Sequence, residues 1–169
     1  MGHPLEDIIR QADGFLLIGE SSKGRFPGMS YHQYATVGKR FYCLDLDGLP
    51  ASRGPTRGGK VYHSVAELPD DRDDLCIIWV HPNTAERAVE VAHQAGCRRL
   101  WFSFGSGHRA ALARAYELGM EVVEVGRCPI YYMDQKTPIC AAHTAVVKTS
   151  GLYDDPPQTT ADPRRRQML

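Results

Sequence analysis

Short apolar runs with no polar residue on either side constrain this chain most. Phe15-Leu16-Leu17-Ile18-Gly19 and Cys76-Ile77-Ile78-Trp79-Val80 are apolar at consecutive positions, so neither face of such a strand suits water. Parallel sheets lying between two helix layers bury strands in that way. Similar runs recur as "RFYCLDLD" (40–47), "KVYHSV" (60–65), "LCIIWVH" (75–81), "RLWFSFG" (99–105) and "EVVEV" (121–125). Helical patterns fall between them. Residues 5–12 read as a short helix. Asn83 and Glu86 have capping-box spacing after Pro82, and Ala85, Ala88, Val89, Ala92 and Ala95 share a face that stops at Gly96. Another helix is expected from near Ser106, presenting Leu112, Ala115 and Tyr116 and ending at Gly119. "GMSYHQYATVGKR" has a poor apolar stripe and an internal glycine, so any helix there is short. The alternation predicts an α/β fold with a doubly wound, mainly parallel sheet in three layers.

At 169 residues the chain suits one domain, expected over 5–148. The remainder, 149–169, contains "DDPPQTTADPRRRQML" and reads as a polar tail whose arginine run is solvated charge. The formal net charge is zero, which argues against nucleic acid or an anionic membrane as the main partner. No apolar run reaches the roughly 18 residues of a membrane span. The N-terminus lacks signal-peptide architecture, and the five cysteines are scattered without framework spacing. A cytoplasmic protein is expected.

Open parallel sheets bind ligands beyond the C-terminal ends of their strands. That rule gathers the tips of strands one and two with "WVHPNT". After strand one comes Gly19-Glu20-Ser21-Ser22-Lys23-Gly24. Glycine permits close backbone approach, while serine hydroxyls and a lysine suit a phosphate. The same stretch is GxGxxG with serine at the middle glycine, and Asp45 lies near the spacing of a ribose-binding acid, so NAD is a rival ligand. "GPTRGGK" (Gly54 to Lys60) imitates the start of a P-loop, but Val61 replaces the magnesium-binding hydroxyl and a strand follows where a helix is needed. It is a glycine-rich loop from which Arg57 or Lys60 can reach phosphates.

The combination "IGESSKGR…SY", "GGKVYHSVAELP", "CIIWVHPNTAERAVEVAHQAGCRRLWFSFG" and "AYELGMEVVEVGRCP" resembles the single-domain CoA-binding proteins over roughly residues 14–130. These are Rossmann-like relatives of the CoA-binding domain in the succinyl-CoA synthetase alpha chain. The resemblance implies a Rossmann-like sheet and coenzyme A or an acyl-CoA as ligand. It implies that Gly19, Ser21, Ser22, Lys23 and Arg25 cradle the pyrophosphate. It also places Ser30 and Tyr31 at the opening of the first helix after the loop, His81 and Pro82 beside the nucleotide, and Cys128 near the pocket. One departure is Asp45-Leu46-Asp47-Gly48, where the family commonly has Asn-Pro or Ser-Pro after strand two. A carboxylate there would repel the 3′-phosphate of CoA, so either these aspartates point away or meet a ribose hydroxyl, or the ligand is not CoA. In a CoA site, removing Asp45 is expected to leave affinity unchanged or improved.

Cys128 reads either as a small buried residue or as a thiol facing the CoA sulfhydryl, with Arg127 lowering its pKa. Cys43, Cys76 and Cys97 fall on core elements. Cys128, Cys140 and His143 supply one close ligand pair and three ligands, short of a zinc set. His81 lies at a strand's C-terminal end and reads as functional or as a hydrogen-bonded structural histidine. His108 opens a helix near the same sheet edge as a second candidate, and Trp79 and Trp101 read as core. No nucleophile–base–acid constellation is legible, so a binding, carrier or sensor module is expected rather than an enzyme, working alone, as a homodimer or with a protein partner.

Overall fold

The computed structural model describes residues 3–23, 28–48, 60–151 and 153. Its elements are α1 (Pro4–Gln11), β1 (Phe15–Gly19), α2 (Gly28–Thr36), β2 (Phe41–Asp45), β3 (Val61–Tyr62), β4 (Leu75–Trp79), α3 (Ala85–Gln94), β5 (Arg99–Phe102), α4 (Arg109–Glu117), β6 (Glu121–Val125) and α5 (Pro138–Ser150). The strands form one sheet in the order β3-β2-β1-β4-β5-β6, with parallel pairing throughout. This is the expected doubly wound, Rossmann-like sheet. Its strand order reverses between β1 and β4, which opens a crevice at their C-terminal ends.

The apolar runs account for two cores. In β1, Leu16 and Ile18 join α3 and α4 on one face, with Ala85, Ala88, Val89, Ala92, Ala111 and Ala115 packed closely. Phe15 and Leu17 join the opposite core with Leu5, Ile9, Tyr34, Trp101, Cys128 and Cys140. Small alanines bring the helix backbones near the sheet, and the two-faced burial removes every strand residue of β1 from water.

Several details differ from the sequence reading. The Asn83–Glu86 capping box does not form. A 3₁₀ turn, Pro82–Thr84, precedes α3; His81 Nδ1 accepts the Asn83 N–H at 3.3 Å, and Thr84 turns its hydroxyl elsewhere. Helix α4 starts three residues later than expected, and Tyr116 faces solvent at 71% exposure rather than lining the core. Helix α5 has no counterpart in the sequence reading. Its buried Cys140, Thr144 and Val147 are matched by exposed Ile139 and Val146, which blurs any stripe. Helix α2 is short, as expected, and a polar clamp supplements its weak stripe. The buried Gln33 side chain donates to Gln135 O at 2.8 Å and accepts from Thr137 N at 2.7 Å, fastening α2 to the start of α5. No helix among the described residues is long and apolar enough to cross a membrane.

Candidate functional site

The loop after β1 is built by carboxylates. Gly19 ends β1 between Asp45 of β2 and Trp79 of β4, to which it is paired in register. Asp45, fully buried, accepts the Ser21 N–H and the Ser21 hydroxyl, one on each oxygen and both at 2.8 Å. Asp47 accepts the Ser22 N–H at 3.1 Å. Glu20, only 3% exposed, reaches the other way: it accepts the His81 N–H at 3.0 Å and the Thr84 hydroxyl at 2.8 Å. Strand one's tip is thereby tied to the tips of both neighbours. Bonds to carboxylates are the stronger kind, and the burial of Asp45 and Glu20 shields theirs from competing water.

The candidates separate by what these bonds leave available. Both donors of Ser21 are committed to Asp45, which makes this pair the fastening of the loop. The Ser21–Lys23 turn leaves Ser22 and Lys23 exposed, and Lys23 makes no ion pair among the described residues. Arg25, and the glycine-rich loop through Gly59, lie outside the described residues. Ser30 and Tyr31 stand half-buried in the first turn of α2, and the Tyr31 ring packs edge-on against Phe41 with centroids 4.8 Å apart. His81 and Pro82 stand half-buried at the tip of β4. Because His81 Nδ1 accepts from Asn83, the neutral ring carries its proton on Nε2.

Cys128 stands apart from this group. It follows β6 in a segment that folds back under the sheet, so that it sits in the buried core with Phe15, Leu17 and Tyr34 rather than at the strand tips. The thiol is 4% exposed within the core beneath α5, and burial pushes its pKa up to about 11. Of the two readings, the small buried residue fits, and Arg127 does not lower the thiol's pKa. That guanidinium instead bonds the Tyr132 hydroxyl at 3.0 Å, pairs with buried Glu124 at 3.7 Å and lies over the Tyr153 ring. The raised pKa has a sign. Unfolding returns the thiol towards its ordinary 9.0, so burial of the neutral thiol stabilises the fold fully below pH 9. That contribution disappears as pH rises through about 11. Iodoacetamide at pH 8 should therefore label Cys128 about a hundredfold more slowly in the folded chain than in urea, from thiolate fraction alone. Mass spectrometry of the Cys128 peptide checks this, and equal rates would place the thiol outside the core.

Sequence reasoning gave no role to Glu20 or Thr84, although a glutamate at the end of an apolar strand marks an acid that must find buried donors. Trp79, expected in the core, is only half-buried; its ring lies 5.8 Å from Phe104, which lies 5.5 Å from His143 of α5.

The family model described as "CoA binding domain" matches residues 16–134. A hypothetical protein from Pyrococcus horikoshii OT3 is similar in fold, with 24% identity, a TM-score of 0.61, and 76% of this chain and 86% of that chain covered. A conserved hypothetical protein from Pyrococcus furiosus is 23% identical with a TM-score of 0.55, covering 69% of this chain and 95% of that one. A Thermus thermophilus structure is 15% identical with a TM-score of 0.53, covering 83% and 96%. None of the curated proteins matches the chain.

Proposed function

Because the chain belongs to the CoA-binding domain family, whose model spans residues 16–134, we propose that it binds coenzyme A or an acyl-CoA at the C-terminal edge of its sheet. The observation that carries this reading is the fastened loop at the strand-order reversal, inside the matched segment. Asp45, Asp47 and Glu20 hold its backbone in place, and Lys23 stands in solvent above them. A loop fastened at its start and carrying an exposed ammonium suits an anionic group, because part of the ordering cost is met before the ligand arrives. Lys23 and the Ser22 hydroxyl are the phosphate-facing groups, with Arg25 as a further candidate. Ser21 and Asp45 position the loop, Ser30 and Tyr31 flank it from α2, and His81 with Pro82 borders it from β4. The chain acts as a binding, carrier or sensor module in a cytoplasmic setting.

The dinucleotide reading is the less favoured one for a specific reason. It requires the Asp45 carboxylate to accept ribose hydroxyls, yet that carboxylate is fully buried with an oxygen on each Ser21 donor. Calorimetry of the full chain with CoA, dephospho-CoA and NAD separates the readings. Binding of the two CoA forms with no heat from NAD is the expected result. Heat from NAD alone would transfer the site to dinucleotides.

A further inference from the structure

Phe104 adopts a backbone conformation that aromatic residues seldom take. Its φ is +42° and that of Gly105 is +63°, and the Ser106 N–H closes the turn on Ser103 O at 3.1 Å. Positive φ at both central positions belongs to turns that favour Gly, Asn or Asp. The surroundings hold Phe104 there. The buried Ser106 hydroxyl accepts the Val80 N–H at 3.0 Å, tying the turn to the end of β4. Gly107 packs so closely on the tip of β6 that an added Cβ would lie 2.3 Å from Val125 Cγ1. Such an outlier, enforced from two sides, points to a use for the side chain it displays.

That side chain is the middle ring of a row. Trp79 and His143 lie on either side of Phe104, each tilted by 38° to it, and His143 is exposed. The indole Nε1 of Trp79 is buried without a hydrogen-bond partner among the described residues, a rare state for an N–H. Trp79 is paired in register with Gly19, so the row starts one strand from the phosphate loop, on the side away from Asp45. A nucleotide laid across a strand-order reversal places its adenosine over the β2 side and its other arm over the β4 and β5 tips. In CoA that second arm ends in the thiol or its thioester.

We infer that Trp79, Phe104 and His143 form a shelf for the acyl end of the ligand and select a flat aromatic acyl group on a CoA thioester. This rests on the CoA reading above. Rings pack against rings in offset and edge-to-face geometry with a preference that an alkyl group does not match.

Calorimetry of the full chain with CoA, acetyl-CoA and benzoyl-CoA tests the inference. Benzoyl-CoA is expected to bind about tenfold more tightly than acetyl-CoA. Phe104→Gly removes the ring and accepts positive φ without strain, and a thermal melt checks that the variant is folded before titration. The substitution should reduce that preference to about twofold or less while leaving CoA itself unchanged, and Phe104→Tyr should retain the preference. Equal affinity for the three ligands would overturn the shelf and leave CoA binding intact. Equal loss for CoA and benzoyl-CoA in Phe104→Gly would assign Phe104 a purely structural role and also overturn it. Binding of none of the three would instead overturn the CoA reading.

Discussion

Asp45→Ala is expected to unfasten the β1 loop and to weaken the fold at the same time. The substitution leaves the Ser21 N–H and hydroxyl without the buried carboxylate that accepts both at 2.8 Å. Losing bonds to a charged acceptor costs roughly 1.5–3 kcal/mol or more. At this chain length that corresponds to a fall in Tm of about 5–10 °C. CoA affinity should drop about tenfold with little dependence on salt, because the loss is of loop geometry rather than of a charge–charge term. Asp45→Asn retains one acceptor and should fall between wild type and Asp45→Ala. Calorimetric melting and CoA titration at two ionic strengths give the answer. This reverses the expectation from sequence, in which the carboxylate lies against the 3′-phosphate. An unchanged Tm with tighter CoA binding at low salt would restore that earlier placement.

Lys23→Ala should do the opposite: no change in Tm, a large loss of ligand. Lys23 is exposed and unpaired by any described acid, so the fold does not depend on its charge. A charge-assisted bond to phosphate is worth roughly 1.5–3 kcal/mol, or about a tenfold to hundredfold loss in CoA affinity. The loss should narrow as salt rises, since an exposed pair is screened. Lys23→Arg should keep most of the binding. If Lys23 meets the pyrophosphate, CoA and dephospho-CoA lose equally. A loss confined to CoA would move the ammonium to the 3′-phosphate, and undiminished affinity for both would remove Lys23 from the site.

The parts of this protein legible in sequence are those set by local pattern. Phe15 to Gly19 and Leu75 to Trp79 are apolar at every step, and only a sheet covered on both faces accommodates that, so the parallel architecture and the ligand-binding edge follow directly. The glycine and lysine after β1 likewise mark their loop without reference to anything distant. Helix α5 was not legible because Ile139 and Val146 face solvent, and α2 has only a weak apolar stripe, supplemented by the Gln33 amide.

What only the tertiary structure decided is the direction in which each polar group at the edge is used. Asp45 and Ser21 are 24 residues apart, and Glu20 and Thr84 are 64 apart. No local pattern says whether two such groups meet one another or a ligand. Parallel pairing of β1 with β2 and β4 brings them together, and the high cost of a buried group left unpaired then commits them to each other. The same holds for Cys128, whose thiol is suppressed by the core that α5 closes over it, and for Phe104, whose ring is aimed by a turn pinned to two strands. The sequence determined which residues reach the edge of the sheet; the packing of neighbouring strands determined which of them remain available to a ligand.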